Sequence, residues 1–330
     1  MGSFLDALFS AFIARKAGRF VLQQEVKKRS RVFVFLALMF LSSCRGRVDV
    51  VQPAAVVPER VVTDDLGRRI IMPVKITRVV SLAPSLTENI FAVGAGDRLV
   101  GVTTFCNFPE AAKLIAKIGD TMNPNMESIV ALKPDVVFVS TASQIEAFMK
   151  TLEQNGIAVY VTNPIWPQDI YKNLREFGII FDTKETAEAV VNDLIARLKV
   201  VHEKCNTVDP RQRVTVFVQI SKEPLFTVGG GSFIGEIVGI AGGMLLTYDI
   251  KEAFPKISKE TALALNPEAI ILSDSEDNKE PNEVFKKSPA VKNGRVYKVN
   301  ADLLSRPGPR LVDAMEQIAR DLHPEKFNDD

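Results

Sequence analysis

Residues 127–139 read ESIVALKPDVVFV, and residues 260–272 read ETALALNPEAIIL. Each stretch begins with Glu, has Leu five positions later and Pro seven positions later, and continues with an acidic residue and four apolar residues. Carboxylates favour helix N-termini, where free N–H groups and the macrodipole are positive. Proline disfavours helix for the residue before it, so each helix is expected to end there. The pattern therefore predicts a short helix followed by a strand.

The apolar runs of the two stretches are continuous rather than alternating. Val-Val-Phe-Val follows the first Pro-Asp pair and Ala-Ile-Ile-Leu follows the second Pro-Glu pair. Such runs are typical of parallel strands that are covered on both faces. The duplication predicts two equivalent lobes, each with a buried parallel strand at the same place.

The neighbouring elements repeat in the same order. Strand-like residues 78–82 correspond to residues 213–220, and the glycine-rich helix end at 94–96 corresponds to the one at 241–243. GIAVYVT at 156–162 likewise corresponds to GRVYKVN at 294–300. Strands that alternate with helices at this spacing predict α/β lobes with parallel sheets. The predicted fold is two similar α/β lobes with a ligand cleft between them.

A long helix is predicted between the lobes, over residues 183–204, with a wide apolar stripe. Its length of roughly 33 Å suits a single helix that joins both lobes, although an ordinary surface helix within one lobe also fits. A shorter helix is predicted to begin after Ser85, with Glu88 completing an S-x-x-E capping box. Cys106 and Cys205 form an even pair, and the sequence leaves open whether they form a disulfide.

The composition excludes several classes of protein. Hydrophobic content of 46% and charged content of 25% are those of a globular protein. A net charge of +1 gives no basic surface for nucleic acid. The two histidines, His202 and His323, are far apart, so a histidine-rich metal site or a Ser-His-Asp triad is not expected.

The N-terminal region has the pattern of an export signal. Four basic side chains within residues 27–31 precede an apolar run at 32–41, which is too short to cross a bilayer. The run ends in Leu-Ser-Ser-Cys44, which resembles the lipobox of bacterial lipoproteins, whose cysteine becomes lipidated. A buried cysteine at a strand end is the alternative. The true start, Met1 or a position near Val26, is left open.

These observations give the expected domain organisation. Residues 1–43 are an N-terminal extension and lipoprotein signal peptide, and residues 44–58 are a flexible tether. The lobes cover residues 59–163 and 208–330, and residues 164–207 link them through the long helix. We expect a monomer that is lipid-anchored to a membrane, in the periplasm or at the outer cell surface.

Several motifs resemble a known family when they are taken in order. They are RVVSLAPSLTENIFAVGAGDRLVGVT at 78–103, CNFP at 106–109, the first copy of the repeated motif, and RPGPR at 306–310. Together they resemble bacterial periplasmic substrate-binding proteins of the helical-backbone class, which deliver cobalamin, siderophores or haem to ABC importers. The resemblance extends over residues 60–322 and is closest to the cobalamin-binding members.

The resemblance implies roles for particular residues. A Glu on each lobe would contact arginines of the transmembrane permease, and these residues correspond to Glu127 and Glu260. The alternative is that both are only helix N-terminal acids. The ligand would be a cobalamin-like corrinoid, a ferric siderophore or haem, and no bound cofactor or metal is implied. The expected ligand-binding residues are Pro84, Ser85, Phe108, Thr121, Ser140, Trp166, Phe254 and Arg306.

Some of these positions depart from the cobalamin-binding pattern or admit two interpretations. Phe108 and Phe254 fall where aromatic side chains would pack against a corrin, but Thr121 and Ser140 are small and polar where relatives carry aromatics. Trp166 fits either a cleft loop or a plug between the helix and a lobe. Arg306 fits either an anionic ligand group or the edge of the sheet.

An enzyme is the rival from another class. The stretch 228–232, VGGGS, does not match the spacing of the phosphate-binding loop or the dinucleotide fingerprint. A glycine-rich turn with Ser232 as helix N-cap accounts for it, and no nucleophile–base pair stands out. The sequence therefore predicts a binding protein without catalytic activity.

Overall fold

The computed structural model describes residues 60–141, 145–207 and 209–327. The predicted signal peptide, Cys44, the predicted tether and the two candidate start sites lie outside these residues. None of the described helices has the length and apolarity needed to cross a bilayer.

The first lobe combines a hairpin with a four-stranded parallel sheet. In the hairpin, β1 pairs antiparallel with β2, and residues 64–68 connect the two strands. The sheet has the order β4-β3-β5-β6. The strands are β1 (Arg60–Thr63), β2 (Arg69–Met72), β3 (Val79–Ser81), β4 (Leu99–Val102), β5 (Val136–Ser140) and β6 (Ala158–Thr162). The helices are α1 (Pro84–Ala92), α2 (Met126–Ala131) and α3 (Ile145–Gln154), with short 3-10 helices at Gly96–Arg98 and Glu110–Leu114.

The second lobe repeats this plan. Its parallel strands β9, β7, β10 and β11 lie side by side, and β8 pairs antiparallel with β7. The strands are β7 (Val214–Ser221), β8 (Phe226–Thr227), β9 (Gly243–Leu245), β10 (Ala269–Asp274) and β11 (Val296–Asn300). The helices that follow the two linking helices are α6 (Phe233–Ile240), α7 (Lys259–Leu265), α8 (Pro289–Lys292), α9 (Ala301–Ser305) and α10 (Leu311–Leu322), with 3-10 helices at Pro210–Gln212, Glu283–Phe285 and Pro324–Lys326.

Two helices connect the sheets, α4 (Pro167–Ile180) and the 22-residue α5 (Lys184–Cys205). The α5 helix packs against α4, against α1 of the first lobe, and against α6 and α10 of the second. Arg197 links α5 to α10, since it donates hydrogen bonds to Asp313 Oδ1 at 2.5 Å and to Glu316 Oε1 at 2.9 Å. These contacts fit the predicted long helix that touches both lobes.

The largest core cluster is shared by the two lobes. It includes Phe138 of β5, Phe177 of α4, Val191 of α5, Val218 of β7 and Met315 of α10. Two smaller clusters lie on the opposite faces of the sheets, one in each lobe. Both sheets are therefore covered on both faces, as the continuous apolar runs predict.

Two local predictions were wrong. The N-cap of α1 is Ala83 rather than Ser85, because Pro84 already occupies the first helical turn, where its missing N–H costs no hydrogen bond. The Glu88 side chain does not complete a capping box; it lies buried and is paired with arginines of the other lobe. The short helix α9 was not predicted.

The two described cysteines are free thiols, and both are buried. Cys106 Sγ lies 3.2 Å from Thr87 Oγ1 and 3.1 Å from Thr103 Oγ1, so hydroxyl groups satisfy it. Burial raises the pKa of the Cys205 thiol. The disulfide left open by the sequence is not formed.

Candidate ligand-binding cleft

A cavity of about 740 Å³ lies between the lobes. It forms where loops leave the carboxyl ends of parallel strands, which is where open α/β sheets bind ligands. The first lobe contributes Ala83, Pro84, Ser85, Thr104, Phe105, Asn107, Thr121, Ser140, Thr141, Asn163, Pro164 and Ile165. The second lobe contributes Gly231, Ser232, Phe233, Ala253, Phe254, Asp302, Ser305, Arg306 and Pro307.

The structure brings six of the eight expected ligand-binding residues together in this cavity wall. They are Pro84, Ser85, Thr121, Ser140, Phe254 and Arg306. Phe108 and Trp166 do not line the cavity, although their chain neighbours Asn107 and Ile165 do.

Phe108 has a different partner. The centre of the Arg310 guanidinium lies 3.9 Å from the centroid of its ring, which is a close cation–π contact. The preceding residues of the same loop, Phe105 and Asn107, face the cavity instead. The aromatic residue that was expected to contact the ligand therefore packs against an arginine from the second lobe.

Trp166 is the N-cap residue of α4 and remains 42% exposed. Asp169 Oδ2 accepts hydrogen bonds from the backbone N–H groups of Ile165 and Trp166, both at 2.9 Å. This arrangement fixes the start of α4 and places Ile165, rather than the indole, in the cavity wall. The Trp166 side chain therefore neither lines the cavity nor is buried between the helix and a lobe.

Arg306 is 9% exposed, and its guanidinium is paired with other groups of the protein. Its Nη1 donates to Glu88 Oε1 at 2.8 Å and to Asn107 Oδ1 at 2.7 Å. Its Nη2 lies 2.6 Å from Asp302 Oδ1 and donates to the Phe105 carbonyl at 3.3 Å. Arg306 thus lines the cavity as part of an ion pair and contributes little free positive charge to it.

The sequence analysis did not predict that Glu88, Asn107 and Asp302 take part in this site. Glu88 stands in a helix whose apolar residues suggest a simple amphipathic pattern, so its burial was not anticipated. A usable signal was the pair of arginines in RPGPR, because buried guanidinium groups require carboxylate partners.

Apart from the ion-paired Arg306 and Asp302, the cavity wall is neutral. Hydroxyl and amide groups come from Thr104, Asn107, Thr121 and Asn163, and flat apolar surface comes from side chains such as Phe254. Among the described residues, Arg306 is the only cation in the wall, and no Tyr, His, Cys or Met lines it. The cavity suits a neutral ligand with apolar faces and hydrogen-bonding groups at its edge.

The loop that carries Thr121 is held by Asp120. Backbone N–H groups of Asn123 and Met122 donate to Asp120 Oδ1 at 2.6 and 2.7 Å. These hydrogen bonds lower the pKa of the Asp120 carboxyl. The carboxylate therefore stabilises a tight turn beside the cavity.

The two repeated glutamates are exposed at helix N-termini, one on each lobe. Glu127 lies in the first turn of α2 after the N-cap Asn125, and Glu260 lies in the first turn of α7 after the N-cap Ser258. Hydrogen bonds from its own backbone N–H and from the Ser258 hydroxyl lower the pKa of Glu260. Both carboxylates are accessible to a partner.

The rival sites gain no support from the described part of the chain. It contains no group of three or more His, Cys, Asp or Glu side chains placed to hold a metal ion. Ser232 is the N-cap of α6 and accepts from the Gly235 N–H at 3.3 Å, as predicted. The preceding glycines lie against backbone: a Cβ on Gly230 would stand 2.1 Å from the Tyr248 carbonyl oxygen. Close packing accounts for the glycine run.

Comparisons with known proteins agree with this two-lobed binding architecture. The model of the periplasmic binding protein family matches residues 79–303. An uncharacterized ABC transporter substrate-binding lipoprotein, YvrC of Bacillus subtilis, is 31% identical over 318 residues, covering 92% of this chain and all of that protein. A vitamin B12-binding protein of Vibrio vulnificus is 30% identical over 245 residues, covering 74% of this chain and 89% of its own length.

A solved structure gives the same result. The periplasmic vitamin B12 binding protein BtuF of Vibrio cholerae superposes with a TM-score of 0.65 at 27% identity, covering 76% of this chain and 97% of BtuF. The architecture is that of an ABC-transporter substrate-binding protein. The chain belongs to the periplasmic binding protein family.

Proposed function

We propose that this protein is a lipid-anchored, monomeric substrate-binding protein that captures a cobalamin-like corrinoid in the interlobe cavity and delivers it to an ABC importer permease. It acts by binding and carries no catalytic site. Vitamin B12-binding relatives of 30% and 27% identity support the corrinoid. The lipobox-like sequence at Cys44 and the lipoprotein relative support the anchor and a location outside the cytoplasm.

The observation that carries the ligand assignment is the neutral, partly aromatic cavity wall. A corrinoid offers a flat macrocycle with a rim of amide groups, which matches apolar surface such as Phe254 surrounded by hydroxyl and amide side chains. Haem and many ferric siderophores carry carboxylates that need cations, and haem iron takes a protein ligand. The only described cation in the wall, Arg306, is already paired.

The docking assignment rests on the duplication. Two exposed carboxylates on equivalent helices can each pair with an arginine of the permease, which fixes orientation as well as affinity. Glu127 and Glu260 occupy the same position of the repeated motif. Both helices precede central strands, so their first turns lie at the cleft side of the lobes.

Ligand titration followed by visible absorbance tests the cavity assignment. Purified protein should bind cyanocobalamin with a saturable spectral change, and haemin or a ferric siderophore should not compete. Phe254→Ala should weaken binding about tenfold because an aromatic side chain of the cavity wall is lost. Tyr248→Ala removes an exposed aromatic outside the cavity (49% exposed, against 39% for Phe254) and should leave affinity unchanged. Saturable haemin or siderophore binding without cyanocobalamin binding would overturn the corrinoid assignment.

Transport assays test docking separately. The double change Glu127→Ala with Glu260→Ala should abolish delivery to the permease while ligand affinity stays within about twofold, since neither residue lines the cavity. Glu153→Ala with Glu325→Ala is the control, because these exposed acids lie outside the repeated motif, Glu153 at the C-terminal end of α3 and Glu325 in the 3-10 helix that follows α10. Loss of ligand affinity in the first double variant would contradict the assignment.

A further inference from the structure

A buried carboxylate of the first lobe is held by two arginines of the second. The Glu88 side chain, on α1, is only 2% exposed. Arg306 Nη1 donates to its Oε1 at 2.8 Å, while Arg310 donates from Nε to Oε2 at 2.9 Å and from Nη2 to Oε1 at 2.6 Å. Both arginines lie between α9 and α10. The bidentate geometry makes this a strong and directional link.

The same link extends to the cavity wall. Arg306 also holds Asn107 of the first lobe and Asp302 of the second, and Asn107 Nδ2 donates to Asp302 Oδ2 at 2.8 Å. Asn107, Asp302 and Arg306 all line the cavity. We call Glu88, Asn107, Asp302, Arg306 and Arg310 the interlobe latch.

The interlobe latch costs free energy to form, because it buries charges, and also to break, because it would leave buried charges unpaired. Burying two charges costs solvation free energy, and this cost is offset only by good ion-pair geometry and further hydrogen bonds. A buried ion pair is therefore weak evidence of a role in stability alone. Here every charged member meets an opposite charge on another member, and two of these ion pairs, Glu88–Arg306 and Glu88–Arg310, join the two lobes. A movement that separates the lobes at this end must expose a buried carboxylate and at least one guanidinium.

We propose that Glu88 is a positioning residue: through the latch it holds the lobes at one end of the cleft, fixes Asn107 and Asp302 in the cavity wall, and thereby sets how fast ligand leaves. Ligand release requires the latch to open. The dissociation readout rests on the proposed corrinoid function, whereas the lobe distance does not.

The first test is the rate of ligand dissociation. Glu88→Gln keeps the shape of the side chain but removes its charge, and it should speed cyanocobalamin dissociation by about tenfold, the size expected for one strong coupling. Asp64→Asn is the matched control: the Asp64 side chain is fully buried and pairs with Arg68 at 2.7 Å, but within the first lobe. It should lower thermal stability without changing the dissociation rate.

Arg310→Met is a milder second variant in case Glu88→Gln folds poorly. The methionine keeps apolar contact with Phe108 but cannot pair with Glu88. It should speed dissociation in the same direction by a smaller factor, because Arg306 still holds the carboxylate. Equal dissociation rates in wild type and in whichever latch variants fold would overturn the proposal.

The second test measures the lobes directly. Spin labels introduced by Lys150→Cys and Lys287→Cys, one exposed site on each lobe, report the distance between lobes in the full chain with Cys44→Ser. Without ligand, Glu88→Gln should lengthen or broaden the distance distribution, and Asp64→Asn should not. An unchanged distribution overturns the latch. If wild type binds no cyanocobalamin but the distances respond to Glu88→Gln, the proposed ligand fails while the latch stands.

Discussion

The two copies of the repeated motif share a backbone and differ in what they place in the core. In both, the N-cap side chain accepts from the N–H three residues on: Asn125 from Ser128 at 2.9 Å, and Ser258 from Thr261 at 3.1 Å. The second residue after the leading Glu is fully buried in both, but it is Ile129 in the first lobe and Ala262 in the second. Capping and turn requirements conserve the backbone of the motif, whereas the core side chain is free to vary with its local packing.

The acid after each proline anchors the neighbouring central strand. Asp135 Oδ2 accepts from the N–H groups of Thr77 and Arg78, at 2.7 and 2.9 Å. Glu268 Oε2 accepts from the N–H and hydroxyl of Thr215, at 2.8 and 2.9 Å. The same sequence position therefore performs the same task in both lobes, with a side chain one methylene longer in the second.

The largest expected difference between the copies lies under the helices. Ile129→Ala should lower the free energy of unfolding by about 2–5 kcal/mol because it leaves a cavity in the first-lobe cluster. Ala262→Gly, the corresponding truncation in the second lobe, should cost only about 1 kcal/mol, mostly from helix propensity. Urea unfolding followed by circular dichroism measures both. Equal costs would mean that the two helices contribute equally to their cores.

The backbone before each proline gives a smaller contrast. Lys133 and Asn266 occupy equivalent positions with φ of +46° and +45°, in the left-handed region that asparagine tolerates and lysine does not. Lys133→Asn should therefore raise the free energy of unfolding by about 1 kcal/mol, and Asn266→Lys should lower it by about as much. Lys133→Ala removes the charge but keeps the strain, so it should change little. A gain from Lys133→Ala equal to that from Lys133→Asn would attribute the effect to charge.

The order of elements was predictable because the signals for it are local. Apolar runs mark the buried strands, and prolines and glycines mark the ends of elements. Gly94, with φ of +81°, is one of these glycines. Six cavity residues could also be placed, but through the family resemblance; in the structure they meet because loops after parallel strands share one edge of the sheet. The acidic residue after each proline was visible in both copies of the motif, but the strand that it holds was not.

The latch could not be predicted in this way. Glu88 and Arg310 lie 222 residues apart, and no local pattern links a helix in one lobe to a turn in the other. The S-x-x-E spacing even favoured a competing local role for Glu88, but the helix begins at Pro84, two residues earlier than predicted. Phe108 was assigned to the ligand through the family resemblance, and the sequence does not reveal that Arg310 packs over its ring.

The smallest expected effect concerns pH and the second-lobe anchor. Hydrogen bonds from the Thr215 backbone and hydroxyl lower the pKa of Glu268 below its ordinary value of 4.5. A carboxyl with a lowered pKa in the folded state stabilises the protein above its unfolded pKa, and this stabilisation disappears as the pH falls through the folded value. Glu268→Gln should therefore lower the free energy of unfolding by about 0.5 kcal/mol at pH 7, a small amount because the group is solvent-exposed.

The difference between wild type and Glu268→Gln should shrink as the pH falls below 4.5 and vanish once the carboxyl is protonated in both states. Thr215→Val keeps the backbone N–H but removes the hydroxyl, so it should remove only part of the pH dependence. Chemical unfolding at pH 7, 5 and 3 measures the three proteins side by side. A difference that stays constant over this range would show that the charge of Glu268 does not hold the strand, and that the two anchors of the repeated motif differ in kind rather than in length.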